Sequence, residues 1–142
     1  MKTIELITYS ARSVLLIDMT YGISIVIYDK AGDYYYLIVK RTDGVWEIPN
    51  LRFDTKPVDE VGTLTKLLDS FLSQYKIAHR FEEQVSFGTM TVYVGDSMTN
   101  APVHVPPTHE NYLWTKADTM MEKLSDEDQR KIFKKVHQIL SA

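Results

Sequence analysis

Three polar side chains near the middle of the chain are spaced so that they could contact a phosphate or a metal ion. Lys66, Asp69 and Ser70 stand at i, i+3 and i+4, and on a helix these positions share one face. An ammonium group on that face suits a bound phosphate. Mg²⁺ prefers oxygen ligands that include one or two carboxylates, and Lys66 would repel it. The face therefore favours an anion over a cluster of divalent ions.

The helix that must position these residues is predicted over residues 58–75. Apolar residues recur there at intervals of three and four, which is typical of an amphipathic helix, and Pro57 suits its first turn. The stripe predicted to face the core contains Val61, Leu64, Leu68 and Phe71.

Strands are predicted on both sides of this helix, in segments 3–9, 13–19, 22–28, 34–40 and 85–94. The runs 22–28 and 34–40 flank a turn, and this order predicts a hairpin. Both runs are apolar at successive positions, which indicates central strands covered on two faces.

Helices are predicted to close the chain. A short helix is predicted over 116–124, and a longer one after Ser125, which with Asp128 resembles a capping box. The buried stripe of the last helix would contain Ile132, Phe133, Val136, Ile139 and Leu140. This order of elements predicts an α/β (α+β) sandwich, a mixed β-sheet packed between helices, in one domain over 1–142.

The composition narrows the possible functions. The 142 residues include no cysteine, which excludes disulfides, thiolate catalysis and Cys-based zinc sites. A net charge of −3 gives no basic field for nucleic acid. The apolar runs are too short to cross a bilayer, so we expect no membrane partner and a cytoplasmic location.

The order of the motifs resembles the Nudix (MutT-like) superfamily. GISIVIY from Gly22 and YLIVKRTDGVWEIP from Tyr36 are similar to its opening hairpin and W-x-L-P segment. HENYLW from His109 is similar to its H-E-x-x-x-W segment, and this ending is most like the dinucleoside polyphosphate hydrolase branch. The resemblance covers about residues 20–140 and leaves an N-terminal extension, 1–20, outside it.

The catalytic box of that family, G-x5-E-x7-R-E-U-x-E-E-x-G-U, is degenerate in this sequence. With the box anchored on Trp46, glutamates that would hold Mg²⁺ or Mn²⁺ fall on Lys66, Asp69 and Ser70. Another register does not restore the box, because residues 61–81 contain no Glu.

The resemblance also indicates candidate site residues. Glu110, in the H-E-x-x-x-W segment, is the candidate catalytic residue, and Asp69 and Glu110 are the metal ligands if a metal is bound. The candidate ligand-binding residues are Arg41, Trp46, Arg52 and Lys66. Each has a structural alternative, namely a solvated charge or, for Trp46, a plug between loop and sheet.

Three functions remain open, and we rank first a pseudoenzyme that binds a nucleotide or nucleotide-like molecule, without a cofactor and with little or no hydrolase activity. The alternative is a divergent Nudix hydrolase that cleaves nucleoside diphosphate-linked substrates such as dinucleoside polyphosphates. It would use Mg²⁺ or Mn²⁺ and loop acids such as Asp54 or Glu60. The third function is a structural one, with a protein partner.

One observation separates these functions. Residues 50–70 either leave an acidic cleft open or plug it with Leu51, Arg52 and Phe53.

Overall fold

The structure is a computed structural model that describes residues 20–98 and 102–142. Its sheet contains β1 (Tyr21–Ala31), β2 (Asp33–Arg41), β3 (Trp46–Glu47), β4 (Asn50–Phe53), β5 (Lys76–Val85), β6 (Gly88–Asp96) and β7 (His109–Thr115). Its helices are α1 (Glu60–Asp69), α2 (Ala117–Lys123) and α3 (Glu127–Ser141). The predicted strands 3–9 and 13–19 lie outside the described residues.

Strand β1 occupies the middle of the sheet. It pairs with β6 in parallel from Tyr21 to Tyr28, and with β2 and β4 in antiparallel fashion. The main strand order is β3-β2-β1-β6-β5, and β7 pairs with β2. The predicted hairpin and the mixed sheet are therefore confirmed.

Each face of the sheet carries its own apolar core, because successive side chains of a strand point to opposite faces. On one face α1 packs against alternate residues of β1, and this core includes Ile23, Ile25, Ile27, Leu64, Leu68 and Phe71. On the other face α2 and α3 supply Met120, Phe133 and Val136, which pack with Val26 and Ile38. The predicted packing of the sheet between helices is thus confirmed.

Helix α1 is shorter than the predicted 58–75. It begins at Glu60, after Asp59, whose side chain accepts a hydrogen bond from the Gly62 amide at 2.9 Å, as expected of an N-cap. Leu68 and Phe71 are buried as predicted, but Val61 is 67% exposed. The prediction for Val61 was wrong because Glu60, and not Val61, turns toward the sheet and accepts a hydrogen bond from the Tyr93 hydroxyl.

Strand β5 was not predicted. Its sequence, KIAHRFEEQV, has neither an apolar run nor a regular alternation, because it is an edge strand exposed along most of its length. Pairing with β6 makes it a strand, so a tertiary contact and not local propensity decides its conformation.

Helix α3 begins one residue later than predicted. Asp126 is its N-cap and accepts a hydrogen bond from the Asp128 amide at 2.9 Å, so the prediction of a Ser125 cap was wrong. Of the predicted stripe, Ile132, Phe133 and Val136 are buried, whereas residues 139 and 140 are only partly covered near the end of the helix. No helix in the described ranges is long and apolar enough to span a bilayer.

A polar cluster ties the start of α1 to the β5–β6 hairpin. Arg80 makes two hydrogen bonds to the Glu60 carboxylate, at 2.8 and 3.0 Å, and Tyr93 donates to the same carboxylate. The Arg80 guanidinium, helped by the Tyr93 hydroxyl, lowers the pKa of Glu60 from 4.5 to about 2. The cluster therefore stabilises the folded chain through an ionised Glu60.

We expect this stabilisation to depend on pH. A depressed folded-state pKa contributes stability above the ordinary value of 4.5, and that contribution is lost as the pH falls toward 2. Replacing Glu60→Gln should lower the free energy of unfolding at pH 7 by about 1–2 kcal/mol, since solvent screens the partly exposed pair. Urea denaturation of the natural chain and the variant, at pH values from 7 to 2.5, measures this loss in the free energy of unfolding. The loss should be smaller in acid. An equal loss of unfolding free energy at both pH values would contradict the role of Glu60. The matched control is Glu122→Gln, because Glu122 is an exposed residue of α2.

Two side-chain truncations in α1 should lower the free energy of unfolding by very different amounts. Leu68 is fully buried and Val61 is 67% exposed, so Leu68→Ala should cost about 2–5 kcal/mol and Val61→Ala less than about 0.5 kcal/mol. Thermal or urea unfolding of both variants measures the difference. Similar losses would show that α1 docks in another orientation.

Candidate functional site

A cleft of about 520 Å³ opens beside the C-terminal end of α1. Its walls are mostly apolar and include Leu51, Leu67, Phe71 and Pro106, and its polar residues include Arg41, Asp43, Glu47 and His109. Residues 50–70 therefore form neither an acidic helix face nor a complete plug. Leu51 lines the open cleft, whereas Phe53 packs into the core on the α1 face of the sheet.

Glu47 is the central polar residue of the cleft. It pairs with Val39 across β2 and β3, which places it on the face covered by α1. Its side chain is only 9% exposed, with Oε2 2.9 Å from Nε2 of His109 and Oε1 3.4 Å from Nη1 of Arg41. A buried carboxylate needs such partners because desolvation penalises its charge.

A tight turn after β2 places Arg41 in contact with a second carboxylate, that of Asp43. The Arg41 guanidinium contacts Asp43 at 2.5 and 3.2 Å, and Gly44, with φ +91°, closes the turn through a hydrogen bond to the Arg41 carbonyl. Arg41 lowers the pKa of Asp43, and Asp43 and Glu47 raise the pKa of Arg41. One guanidinium thus contacts two carboxylates.

A β-bulge brings His109 into the cleft. Lys40 pairs with Asn111, but the next residue, Arg41, pairs with His109, so the register shifts there and Glu110 is the extra residue. A regular ladder would place Glu110 opposite Arg41. The His109 ring is held by Thr108 Oγ1, 2.9 Å from Nδ1.

The bulge also explains where Glu110 lies. Its carboxylate is 3.1 Å from Lys40 Nζ and is 45% exposed. Lys40 pairs with Trp46 across the strands, and the ammonium groups of Lys40 and Lys123 lie 6.0 and 4.9 Å from the centre of the Trp46 ring. Glu110 and Trp46 are therefore on the side of the sheet away from the cleft.

The remaining predicted site residues do not lie together in the structure. Arg52 lies 3.4 Å from Asp126 and stacks over Phe87 at 4.2 Å. Lys66 is exposed, and Asp69 accepts a hydrogen bond from the Tyr75 hydroxyl at 3.2 Å. Of the ligand-binding candidates, only Arg41 is among the residues that line the cleft, and Ser70 is there too.

Sequence reasoning missed Glu47 and His109 as site residues. Glu47 is the variable position of the W-x-L-P segment, and His109 is 62 residues away in the chain. The local signals were a charged residue inside the apolar stretch VWEIP, where burial requires a partner, and the position of His109 at the start of the H-E-x-x-x-W segment.

The side chains of the cleft do not fit a cluster of divalent ions. The α1 wall contributes Leu67, Ser70 and Phe71, none of which is a carboxylate. Asp43 and Glu47 are both paired with Arg41. Among residues 20–98 and 102–142, no group of three His, Cys, Asp or Glu side chains is arranged to hold a metal ion.

Comparison with known proteins identifies the fold. No family model and no curated protein matches the sequence. The structure superimposes on an Ap4A hydrolase from C. elegans, solved as a binary complex, with a TM-score of 0.69 and 12% identity over 86% of this chain and 98% of that one. The chain has the Nudix fold.

Two further Nudix-fold structures match at similar levels. The Nudix hydrolase RenU from M. smegmatis gives a TM-score of 0.66 and 12% identity, over 87% of each chain. The Nudix domain of Shewanella oneidensis NrtR, cocrystallised with ADP ribose, gives 0.62 and 11%, over 93% of this chain and 96% of that one. At identities this low, the superpositions establish the shared fold, and the function must be argued from the residues of the cleft.

We predict no tight Mg²⁺ or Mn²⁺ site at Lys66, Asp69 and Ser70, because one carboxylate beside an ammonium group is a poor ligand set. Calorimetric titration with MnCl₂ should give no stoichiometric binding. A stoichiometric site that disappears in Asp69→Ala would contradict this prediction, and Asp118→Ala on α2 is the control.

Proposed function

We propose that this Nudix-fold chain is a binding module that holds a nucleotide-like molecule in the cleft beside α1 and has little or no hydrolase activity. The observation that carries the proposal is the composition of the α1 wall. Leu67, Ser70 and Phe71 line the cleft there, at the helix where the family resemblance implies carboxylates that hold metal ions.

The chemistry of pyrophosphate cleavage supports this proposal. The reaction requires neutralisation of several negative charges and activation of a water molecule, and metal ions perform both tasks. Relative to a Glu-Glu pair, Lys66 and Ser70 change the charge at these two positions from −2 to +1, a difference of +3. Loss of metal activation should raise the barrier by several kcal/mol, about a thousandfold or more in rate.

The placement of the candidate ligands supports the same proposal. A divergent hydrolase would need Asp69 and Glu110 to act together. However, Glu110 contacts Lys40 on the far side of the sheet, and Asp69 binds the Tyr75 hydroxyl. Glu60, which the sequence analysis counts among the loop acids, begins α1 and is bound by Arg80.

The comparisons support a nucleotide-like ligand through the fold. The NrtR Nudix domain was cocrystallised with ADP ribose, and the similar C. elegans protein is an Ap4A hydrolase. The cleft volume of about 520 Å³ lies in the range of small-molecule sites. A cytoplasmic location and a protein partner stay predictions from the sequence.

A substrate panel tests the proposal. With Mg²⁺ or Mn²⁺, the natural chain should show negligible turnover of diadenosine polyphosphates, nucleoside triphosphates and ADP-ribose, while calorimetry detects weak binding of at least one of them. The variant Lys66→Glu/Ser70→Glu, run beside it, tests whether carboxylates on that face restore metal-dependent activity. Robust turnover by the natural chain would overturn the proposal, and its loss in Glu110→Gln would favour the hydrolase in which Glu110 is catalytic.

A further inference from the structure

Strand β5 forms one edge of the sheet. Within residues 20–98 and 102–142 its strand partner is β6, and most of its side chains are exposed. An edge strand presents a row of unpaired backbone N–H and C=O groups, and a strand of another polypeptide can pair with them. The free edge of β5 is therefore a surface on which the sheet can be extended.

The hydrogen bonds between β6 and β1 show which backbone groups of β6 face β5. Thr89, at the start of β6, donates its amide to the carbonyl of Thr20, just before β1, at 3.0 Å. Ser97, just after β6, donates to the Tyr28 carbonyl at 2.9 Å. The register between these two bonds is regular, so the odd-numbered residues direct their backbone groups toward β1 and the even-numbered ones toward β5.

The same alternation identifies the outward-facing backbone groups of β5. His79, Phe81 and Glu83 pair with even-numbered residues of β6, so their backbone groups face β6. Arg80 and Glu82 lie between them, and their N–H and C=O groups point to the free edge.

A bulge limits the part of this edge that a second strand can use. The register with β6 shifts between Ile77 and His79, and a bulge at a sheet edge hinders further pairing. A new strand must therefore pair with the regular part of β5, from His79 to Val85.

The charges of β5 favour one antiparallel register between two copies of the chain. Opposed residues must both direct their backbone groups outward or both inward, so a twofold axis must pass through a pair of identical residues. An axis at Arg80, Glu82 or Glu83 places like charges opposite each other, which is destabilising. An axis nearer either end crosses the bulge or runs past the strand. An axis at Phe81 avoids both problems.

The axis at Phe81 gives complementary contacts on both faces of the sheet. Arg80 of each copy lies opposite Glu82 of the other, and because these two residues already contact at 3.0 Å within one chain, charges of alternating sign surround the axis. Their backbones face outward, so in each such pair both residues donate an N–H and accept at a C=O. On the other face the partly buried Phe81 meets its own copy, and His79 lies opposite Glu83.

We propose that two copies of this chain associate by antiparallel pairing of their β5 edges, centred on Phe81, into one continuous sheet. The interface is isologous, as a twofold axis requires. It contains a single strand pair, so the dimer is weak and forms at high protein concentration. Lining residues of the cleft beside α1 come from other elements, so this inference does not depend on the proposed function.

Analytical ultracentrifugation of the full chain, from micromolar to millimolar concentration, measures the association. The natural chain should shift reversibly from monomer to dimer as the concentration rises. Glu82→Arg opposes two arginines and should weaken the dimer about tenfold or more. Glu82→Pro removes an outward N–H and leaves the β5–β6 ladder in place, so it should abolish the dimer. Glu122→Arg on α2 makes the same charge change as Glu82→Arg outside the edge and should have no effect.

A disulfide tests the position of the axis. The natural chain has no cysteine, so Phe81→Cys introduces a single thiol. Opposed Cα atoms of a non-hydrogen-bonded antiparallel pair lie about 4.5 Å apart, which a disulfide can span. Mild oxidation should therefore convert most of this variant into a covalent dimer. Val61→Cys, at a 67% exposed position of α1, is the control and should remain largely monomeric.

Three results would overturn the proposal. The first is a natural chain that stays monomeric at every concentration, and protection of the Glu82 amide from hydrogen exchange in that monomer would show that the same chain covers the edge. The second is a dimer that neither Glu82 variant weakens, because another surface would then hold the copies together. The third is a failure of Phe81→Cys to cross-link, which would exclude the axis at Phe81.

Discussion

The parallel pairing of β1 with β6 is the constraint on which the rest of the fold depends. It runs from Tyr21 to Tyr28 and places a strand that is buried over residues 22–27 in the middle of the sheet. Ile23, Ile25 and Ile27 then face α1, and Val26 faces α2 and α3. Neighbouring residues of β1 face opposite cores, so a shift of the β1–β6 register by one residue would exchange the two faces of the strand. Each helix would then lose the apolar surface on which it packs.

The same sheet geometry determines which residues meet in the cleft. Strands β2, β3 and β7 lie side by side, and the bulge between β2 and β7 turns His109 toward Glu47 and leaves Glu110 beside Lys40. A bulge re-aims side chains without changing the fold. In this chain it exchanges an acid for an imidazole at the position opposite Arg41.

The cleft combines apolar walls with a small set of paired charged side chains. Arg41 is bound by Asp43 and Glu47, so its charge is offset within the protein. The α1 wall presents Leu67, Ser70 and Phe71 where the Nudix resemblance implies carboxylates, and Glu47 is buried against a histidine. Under the proposed function, this cleft recognises its ligand through hydrogen bonds and apolar contact and does not supply the charge neutralisation that phosphoryl chemistry needs.

Local sequence determined most of the elements and the class of fold, and tertiary structure decided the site. Apolar runs and helical periodicity predicted β1, β2, β6, α1 and the C-terminal helices, because burial fixes those patterns residue by residue. Edge strand β5 carries no such pattern and exists through its pairing with β6. The sequence also departs from the acidic box that the resemblance implies, but it could not show that Glu47 and His109, 62 residues apart, would share a cleft. That contact depends on strand pairing and on one bulge, and neither leaves a periodic signal in the chain.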